Sequence, residues 1–269
     1  MVPSENISSI AIDLDGTLFR SDHDFDRPRF ARMLGACEER DIHVVIASGR
    51  QYMSMSTMFD EPDRLAFVGD NGSTVVDRGS EKVHVNLLDP ELTTRVLALL
   101  ADHPEVVAVA SGPNGAWMSR RAPELLIEWM PRAYANLQLV DDLREVTGDL
   151  SKFALITHDG QAERLADELS QQLGHGLVPV TTGHRGIDLI QPGKHKAFGL
   201  GLLLDRWGRD FDEMVAFGDS SNDLEMLRAA GRSYAMAPAE VATIEAAKDR
   251  APSNDDSGVM QVVEDLLGL

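Results

Sequence analysis

Ile10-Ala11-Ile12-Asp13-Leu14-Asp15-Gly16-Thr17-Leu18 is the stretch whose reading decides the fold. The chain from Ile7 to Ile12 is apolar with few polar interruptions, as suits a strand buried on both faces of a parallel sheet. It stops abruptly at two carboxylates. Alternation along a strand puts Asp13 and Asp15 on one side, and Gly16 lets the chain turn sharply beyond them. Two like charges this close disfavour each other unless a cation or a shared proton relieves them. The arrangement points to a Mg²⁺ site in which one carboxylate is also a nucleophile and the other an acid/base. The alternative is a strand end with two solvated aspartates and a glycine turn. An EF-hand loop is excluded, because the glycine comes too early and no later glutamate closes the site.

Working outward, the 269 residues are 43% hydrophobic, enough for one large domain or two smaller ones. The formal charge of −19 argues against nucleic acid or an anionic membrane as the main partner. An acidic chain still binds an anionic substrate where a metal and a few local cations reverse the field. The single cysteine, Cys37, excludes an intrachain disulfide and a cysteine-rich zinc site, and fits a reducing cytosol. It falls among Met33, Leu34 and Ala36 in an expected helix, where inert packing is its reading. No stretch approaches the roughly 20 apolar residues that span a bilayer, and the N-terminal segment lacks the basic start of a signal peptide. The expectation is a cytoplasmic protein with no membrane partner.

The spacing predicts a helix over 26–40, a strand over 42–47 ending in Ser48-Gly49-Arg50, and a strand over 65–68. A hairpin of 74–76 with 82–86 follows, around Asp77-Arg78-Gly79-Ser80. Polar residues collecting at strand C-terminal ends argue for an α/β fold with a doubly wound, mostly parallel sheet. The block 83–186 carries helices over 90–103, 123–135 (kinked or ended by Pro131) and 162–173, and strands over 106–110, 116–119, 153–157 and 177–180. It lacks acids at its strand ends, so it reads as a smaller inserted α/β domain. The first pattern then resumes with a helix over 194–205 and a strand over 214–217 that ends in Gly218-Asp219-Ser220-Ser221-Asn222-Asp223. Helices over 224–230, 238–247 and 259–267 complete it. The expected division is therefore 1–82 with 187–269 as the core, and 83–186 as the insertion.

Four element junctions carry groups suited to a phosphoryl group. Asp13, Asp15, Asp219 and Asp223 supply oxygen donors, and with no cysteine or histidine cluster these favour Mg²⁺ over zinc. Thr17, Ser48 and nearby backbone N–H groups can hold phosphate oxygens, and Lys196, where a helix starts, can offset their charge. Each has an ordinary reading alone: Asp219 and Asn222 as helix caps, Ser48 as a turn residue, Lys196 as a surface lysine.

Asp13-Leu-Asp-Gly-Thr17, Ala47-Ser-Gly-Arg50, Lys196 and Gly218-Asp-Ser-Ser-Asn-Asp223 resemble the four motifs of the haloacid dehalogenase superfamily. The chain is more narrowly similar to its Cof-type phosphatases of class IIB, which Asp70-Asn-Gly72, Ala235-Met-Ala-Pro238 and Asn254-Asp-Asp-Ser-Gly258 also match. The resemblance implies a Rossmann-like core with an α/β cap inserted between the second and third motifs. It implies that Asp13 attacks phosphorus while Asp15 protonates the leaving alcohol and then activates water. Mg²⁺ would be held by Asp13, the backbone carbonyl of Asp15 and Asp219, with Asp223 assisting. Gly16, Thr17, Ser48, Gly49, Arg50, Lys196 and Asn222 would serve the phosphate and substrate. One departure is Ala197, where the family often has glycine after the lysine, which leaves Lys194 as the alternative. The expected function is a Mg²⁺-dependent phosphatase of a small phosphorylated metabolite, a sugar phosphate or phosphorylated cofactor. The alternatives are a sugar phosphomutase or phosphotransferase, and a catalytically silent regulator that binds a phosphate ligand. A monomer or weak homodimer with no nucleic-acid partner is expected. Trp117, Arg120, Arg121, His158, His184 and Arg185 are the cap candidates for specificity, Trp117 and Arg185 foremost.

Overall fold

Apolar runs of four or five residues make the middle of a large sheet in the computed structural model, which describes residues 7–146, 148–158, 160–182 and 185–269. In chain order the strands of this sheet begin with β1 (Ser9–Ile12), β2 (His43–Ala47), β3 (Ala66–Gly69), β4 (Thr74–Asp77) and β5 (Glu81–Val85). A second sheet takes β6 (Val107–Gly112), β7 (Gly115–Ser119), β8 (Leu137–Val140), β9 (Lys152–Ile156), β10 (Val178–Thr182) and β11 (Gly186–Ile190). The first sheet is then completed by β12 (Met214–Gly218), β13 (Arg232–Ala235) and β14 (Asp249–Arg250). The larger sheet runs β14-β13-β12-β1-β2-β3-β4-β5, parallel except at β4 and β5, and the smaller runs β10-β11-β9-β6-β7-β8. The helices are α1 (Arg27–Glu39), α2 (Tyr52–Ser56), α3 (Pro90–Leu100), α4 (Glu124–Trp129), α5 (Ala162–Leu173), α6 (Lys196–Trp207), α7 (Leu224–Ala229), α8 (Val241–Ala246) and α9 (Gly258–Leu267).

Side-chain alternation sorts the larger sheet into two apolar layers. Ile10, Ile12, Val44 and Ile46 pack with Phe30, Met33 and Cys37 of α1 and Val259 and Val263 of α9. Ala11, Val45 and Ala47 face the other way, onto Leu200, Leu203 and Leu204 of α6 and Met226 of α7. The same alternation in the smaller sheet sends Phe153 and Leu155 towards Leu165, Leu169 and Leu173 of α5, whereas Val109, Ala116 and Met118 meet Met130 and Tyr134. In α1, Asp26 caps the first turn by accepting the Arg29 N–H at 3.0 Å.

The expected α/β architecture with a parallel-rich sheet is present, and several limits differ. The helix expected over 123–135 ends at Trp129 and passes into a short turn, Met130–Arg132, an interruption at Pro131 as expected. β8 and β14 were not expected: one is four residues long and the other two, too short for a period to show. β11 was hidden by Asp188, a charge in the middle of Ile187, Leu189 and Ile190. It pairs antiparallel with β9 and β10, so the range expected to open the second core segment at 187 begins with residues held in the smaller sheet. The expected border at 83 falls inside β5. No helix among the described residues is long and apolar enough to cross a membrane.

Cys37 is buried, and burial pushes its thiol up to about 12. Since the thiolate is the reactive form, a thiol reagent at pH 8 should leave the native protein unmodified and titrate one thiol per chain in denaturant. Rapid modification of native protein would contradict the inert packing of Cys37.

Candidate active site

β1 lies between β12 and β2, the point at which the chain's strand order changes direction. In open α/β sheets the crevice beyond the carboxyl ends of such strands is where ligands bind. Asp13 directly follows β1, Ser48 follows β2 and Asp219 follows β12. They open into a cleft of about 420 Å³ between the larger sheet and the smaller one. Of the residues expected at a site, Asp13, Asp15, Ser48, Gly49, Arg50, Asp219 and Asn222 line this cleft. Gly16, Thr17, Lys196 and Asp223 stand behind that lining and act on it through their neighbours.

Lys196 is the group beneath the cleft floor. Its wholly buried Nζ donates to Asp13 Oδ1 at 2.6 Å and to Asp223 Oδ1 at 2.6 Å. Burial alone would lower its pKa, but the charges of Asp13 and Asp223 more than offset that and raise it above its ordinary value. Lys194 goes elsewhere: its Nζ sits 3.6 Å from the centre of the Phe198 ring. Of the two lysines, Lys196 is the one that meets Asp13.

Three carboxylates crowd around that one ammonium. Asp13, Asp219 and Asp223 each offer an oxygen within 4.8 Å of the others. Burial raises Asp13 well above the usual carboxylate range, against the pull of Lys196. Burial, then the Asp223 charge, pushes Asp219 up to about 6. An all-oxygen cluster with more negative than positive charge fits a hard metal ion. Both oxygens of Asp223 are already engaged, Oδ1 by Lys196 and Oδ2 by the N–H groups of Asp219 at 3.0 Å and Ser220 at 3.2 Å. Asp223 therefore shapes the loop after β12 and holds the lysine, leaving Asp13 and Asp219 turned towards the cleft.

Gly16 makes this approach possible. Its φ is +80°, and a Cβ there would lie 2.5 Å from Asp219 Oδ2, so any side chain would displace the carboxylate. The Thr17 hydroxyl, expected on phosphate, donates instead to Asp219 Oδ1 at 3.0 Å. Asp15 turns to the rim, where Arg50 grips it with two bonds, Nε to Oδ2 and Nη2 to Oδ1, both 2.6 Å. The carboxylate of Asp15 is outside the metal-sized cluster. The Ser48 hydroxyl lines the cleft and accepts the Arg50 N–H at 3.2 Å. Asn222 accepts from Ser220 Oγ at 2.8 Å and donates to Asn71 Oδ1 at 3.1 Å, tying the loop after β12 to the loop after β3.

The smaller sheet supplies residues that the sequence did not place here, Lys152, Thr182 and Asp188; Tyr134, from the segment before β8, and Glu240, from the larger sheet's side, are further ones. Lys152 and Asp188 did carry a signal, since a charged residue inside an apolar strand is buried only with a partner. The expected cap candidates lie elsewhere. Trp117 packs with the α3–α5 layer, Arg120 pairs with Asp141 at 2.7 Å, and Arg185 donates from Nε to the Thr157 carbonyl at 3.0 Å. Arg121 and His158 line a separate groove. His184 lies outside the described residues. The segment around the smaller sheet thus borders the cleft through Lys152, Thr182 and Asp188 of its strands and through Tyr134.

Comparison with known proteins agrees with this geometry. The family model described as haloacid dehalogenase-like hydrolase matches residues 10–263. The chain is 37% identical over 263 residues to the 5-amino-6-(5-phospho-D-ribitylamino)uracil phosphatase of Escherichia coli, covering 97% of each. It is 27% identical over 227 residues to the HMP-PP phosphatase of Citrobacter koseri, covering 84% of this chain and 82% of that one. A Streptococcus mutans protein of known crystal structure matches with a TM-score of 0.93 at 30% identity, over 98% of this chain and 100% of that one. Matched along nearly its whole length, and carrying its acids at the ends of β1 and β12, this chain belongs to the haloacid dehalogenase-like hydrolases.

Proposed function

We propose that this protein is a Mg²⁺-dependent phosphatase that hydrolyses a small phosphorylated metabolite through a phosphoryl group carried on Asp13. The observation that carries the reading is the convergence of Asp13 and Asp219 on the cleft with Lys196 buried against Asp13. An Asp13 oxygen attacks phosphorus as the bond to the leaving oxygen breaks, and Asp15 gives that oxygen a proton. Water then attacks the same phosphorus, Asp15 takes its proton, and the bond to Asp13 breaks to release inorganic phosphate. Mg²⁺ held by Asp13, the Asp15 carbonyl and Asp219 would offset the charge on the phosphoryl oxygens. Lys196 opposes the protonation that burial favours and holds Asp13 Oδ1 in place, and Ser48 and Arg50 receive phosphoryl oxygens at the rim. Arg50 holds both oxygens of Asp15, so proton transfer requires this pair to give up one bond as substrate enters.

The smaller sheet with α3, α4 and α5 is our candidate for the cap, lying between the end of β5 at Val85 and the end of β11 at Ile190. Tyr134, Thr182 and Glu240 are the groups placed to meet the leaving alcohol. The named substrate of the 37%-identical relative, 5-amino-6-(5-phospho-D-ribitylamino)uracil, is the first compound to assay. A cytoplasmic setting belongs to the same proposal and is supported by the one free cysteine.

Phosphate release from a panel of phosphomonoesters tests this reading. Asp13→Asn should lower kcat about 1,000-fold or more, ~4 kcal/mol in barrier, with the fold retained. Asp15→Asn should cost far more on an alkyl phosphate than on an activated aryl phosphate, whose leaving group needs no proton; equal losses would remove the acid role from Asp15. In a separate measurement at neutral pH, Mg²⁺ should raise the thermal midpoint, because linkage stabilises the fold by about 2.7 kcal/mol at a hundredfold excess over its dissociation constant. Asp219→Asn should blunt that response, and an equal response in both proteins would place the ion elsewhere.

A further inference from the structure

β9 opens with Lys152, a charged residue only 1% exposed at the seam between the two sheets. Its Nζ crosses that seam and donates to the carbonyl of Gly49 at 2.6 Å. It also donates to Asp188 Oδ2 of β11 at 2.9 Å, and Asp70 Oδ1 lies 3.9 Å away. Asp188 Oδ2 accepts a further bond, at 2.7 Å, from Nδ2 of Asn71, the same side chain that receives the Asn222 amide. Gly49 is therefore enclosed: a Cβ there would come within 3.2 Å of Asn71 and 3.4 Å of Asp188. Two residues further on, the Gln51 amide donates to the carbonyls of Gly112 at 2.7 Å and Gly115 at 3.0 Å in the smaller sheet.

The Gly49–Arg50 peptide is planar, so the direction of its carbonyl sets the direction of its N–H. Lys152 takes the carbonyl, and the opposed Arg50 N–H is the donor that Ser48 Oγ accepts at 3.2 Å. We propose that Lys152 is a positioning residue which, from the smaller sheet, orients the Gly49–Arg50 peptide and thereby aims the Ser48 hydroxyl at the phosphoryl group. This rests on the phosphatase reading above. The side chain borders the cleft but is only 1% exposed, and two of the ammonium's three donors are held by Gly49 and Asp188, so it acts through the loop and not on the leaving alcohol. Docking of the smaller sheet and completion of the phosphoryl seat are then one event.

The test is a cycle of Lys152→Met and Ser48→Ala, alone and together, in the full-length protein with Mg²⁺. Thermal midpoints establish that each variant is folded. Lys152→Met should lower kcat/KM about 10- to 100-fold, the scale of a misplaced binding group. The loss should appear mainly as a higher KM and weaker inhibition by inorganic phosphate. It should be the same factor for substrates with different leaving alcohols. In the Ser48→Ala background, where the aimed hydroxyl is gone, Lys152→Met should cost less than about threefold. Asp188→Asn, which keeps size and removes the ammonium's anchor, should give the same pattern with smaller losses, and replaces Lys152→Met if that variant fails to fold. Additive losses, a loss that depends on the leaving alcohol, or unchanged phosphate inhibition would each overturn the inference. Turnover of the unaltered protein is measured first; its absence overturns the phosphatase reading, whereas active enzyme with additive losses overturns the inference alone.

Discussion

The Lys196 ammonium sits where Asp13 and Asp223 would otherwise repel each other inside the protein. Charges removed from water are costly unless they are paired and hydrogen-bonded, and removal of one member of a buried pair generally costs about 3–5 kcal/mol. This single side chain makes it possible for β1 and β12 to end side by side in acids. Asp223 repeats the economy with its other oxygen, which gathers the N–H groups of Asp219 and Ser220 and so shapes the turn. One cation against three carboxylates leaves a surplus of negative charge at the cleft floor, a setting suited to a metal ion and, through it, to a phosphate.

The cleft floor and its roof are built on different chemical terms. The floor comes from parallel strands whose apolar faces are buried on both sides, so its polar groups are confined to the strand ends. The smaller sheet, in contrast, carries two ionic side chains, Lys152 and Asp188, within its strands and turns them onto the larger sheet's loops. Burial pushes Asp70, next to them, up to about 6, and Ser111 of β6 and Thr74 of β4 both lie 3.4 Å from its carboxyl oxygens. This polar seam joins the two sheets by directed bonds, where an apolar seam would have left their relative placement less determined.

On the proposed reading, substrate choice would fall to a short set of groups. The curated relatives share the family and act on differently named compounds, which suits a design in which the acids and the lysine treat the phosphoryl group alike. Tyr134, Thr182 and Glu240 border the same cleft without belonging to the motifs. Tyr134 follows the turn at Pro131, so the helix break sets where its ring meets the cleft.

Much was legible from the chain alone, for a local reason. Asp13, Ser48 and Asp219 each lie just beyond an apolar run, and in a parallel sheet that position is the ligand-facing edge. Cys37 in its helix, the turn around Gly79 and the family itself were read from neighbours in sequence. What the chain alone did not disclose depends on partners far apart in it. Thr17 turned to Asp219, 202 positions away, and Lys152 reached Gly49 across 103. Lys196 was separated from Lys194 by which of them could reach Asp13, 183 positions distant. β11 escaped notice because Asp188 breaks its apolar pattern, and that charge is tolerable only because the tertiary fold brings Lys152 and Asn71 to it. Local chemistry determined where the acids and the strands that carry them would be; the pairing of buried charges, which only the folded chain can arrange, decided which of them face the cleft.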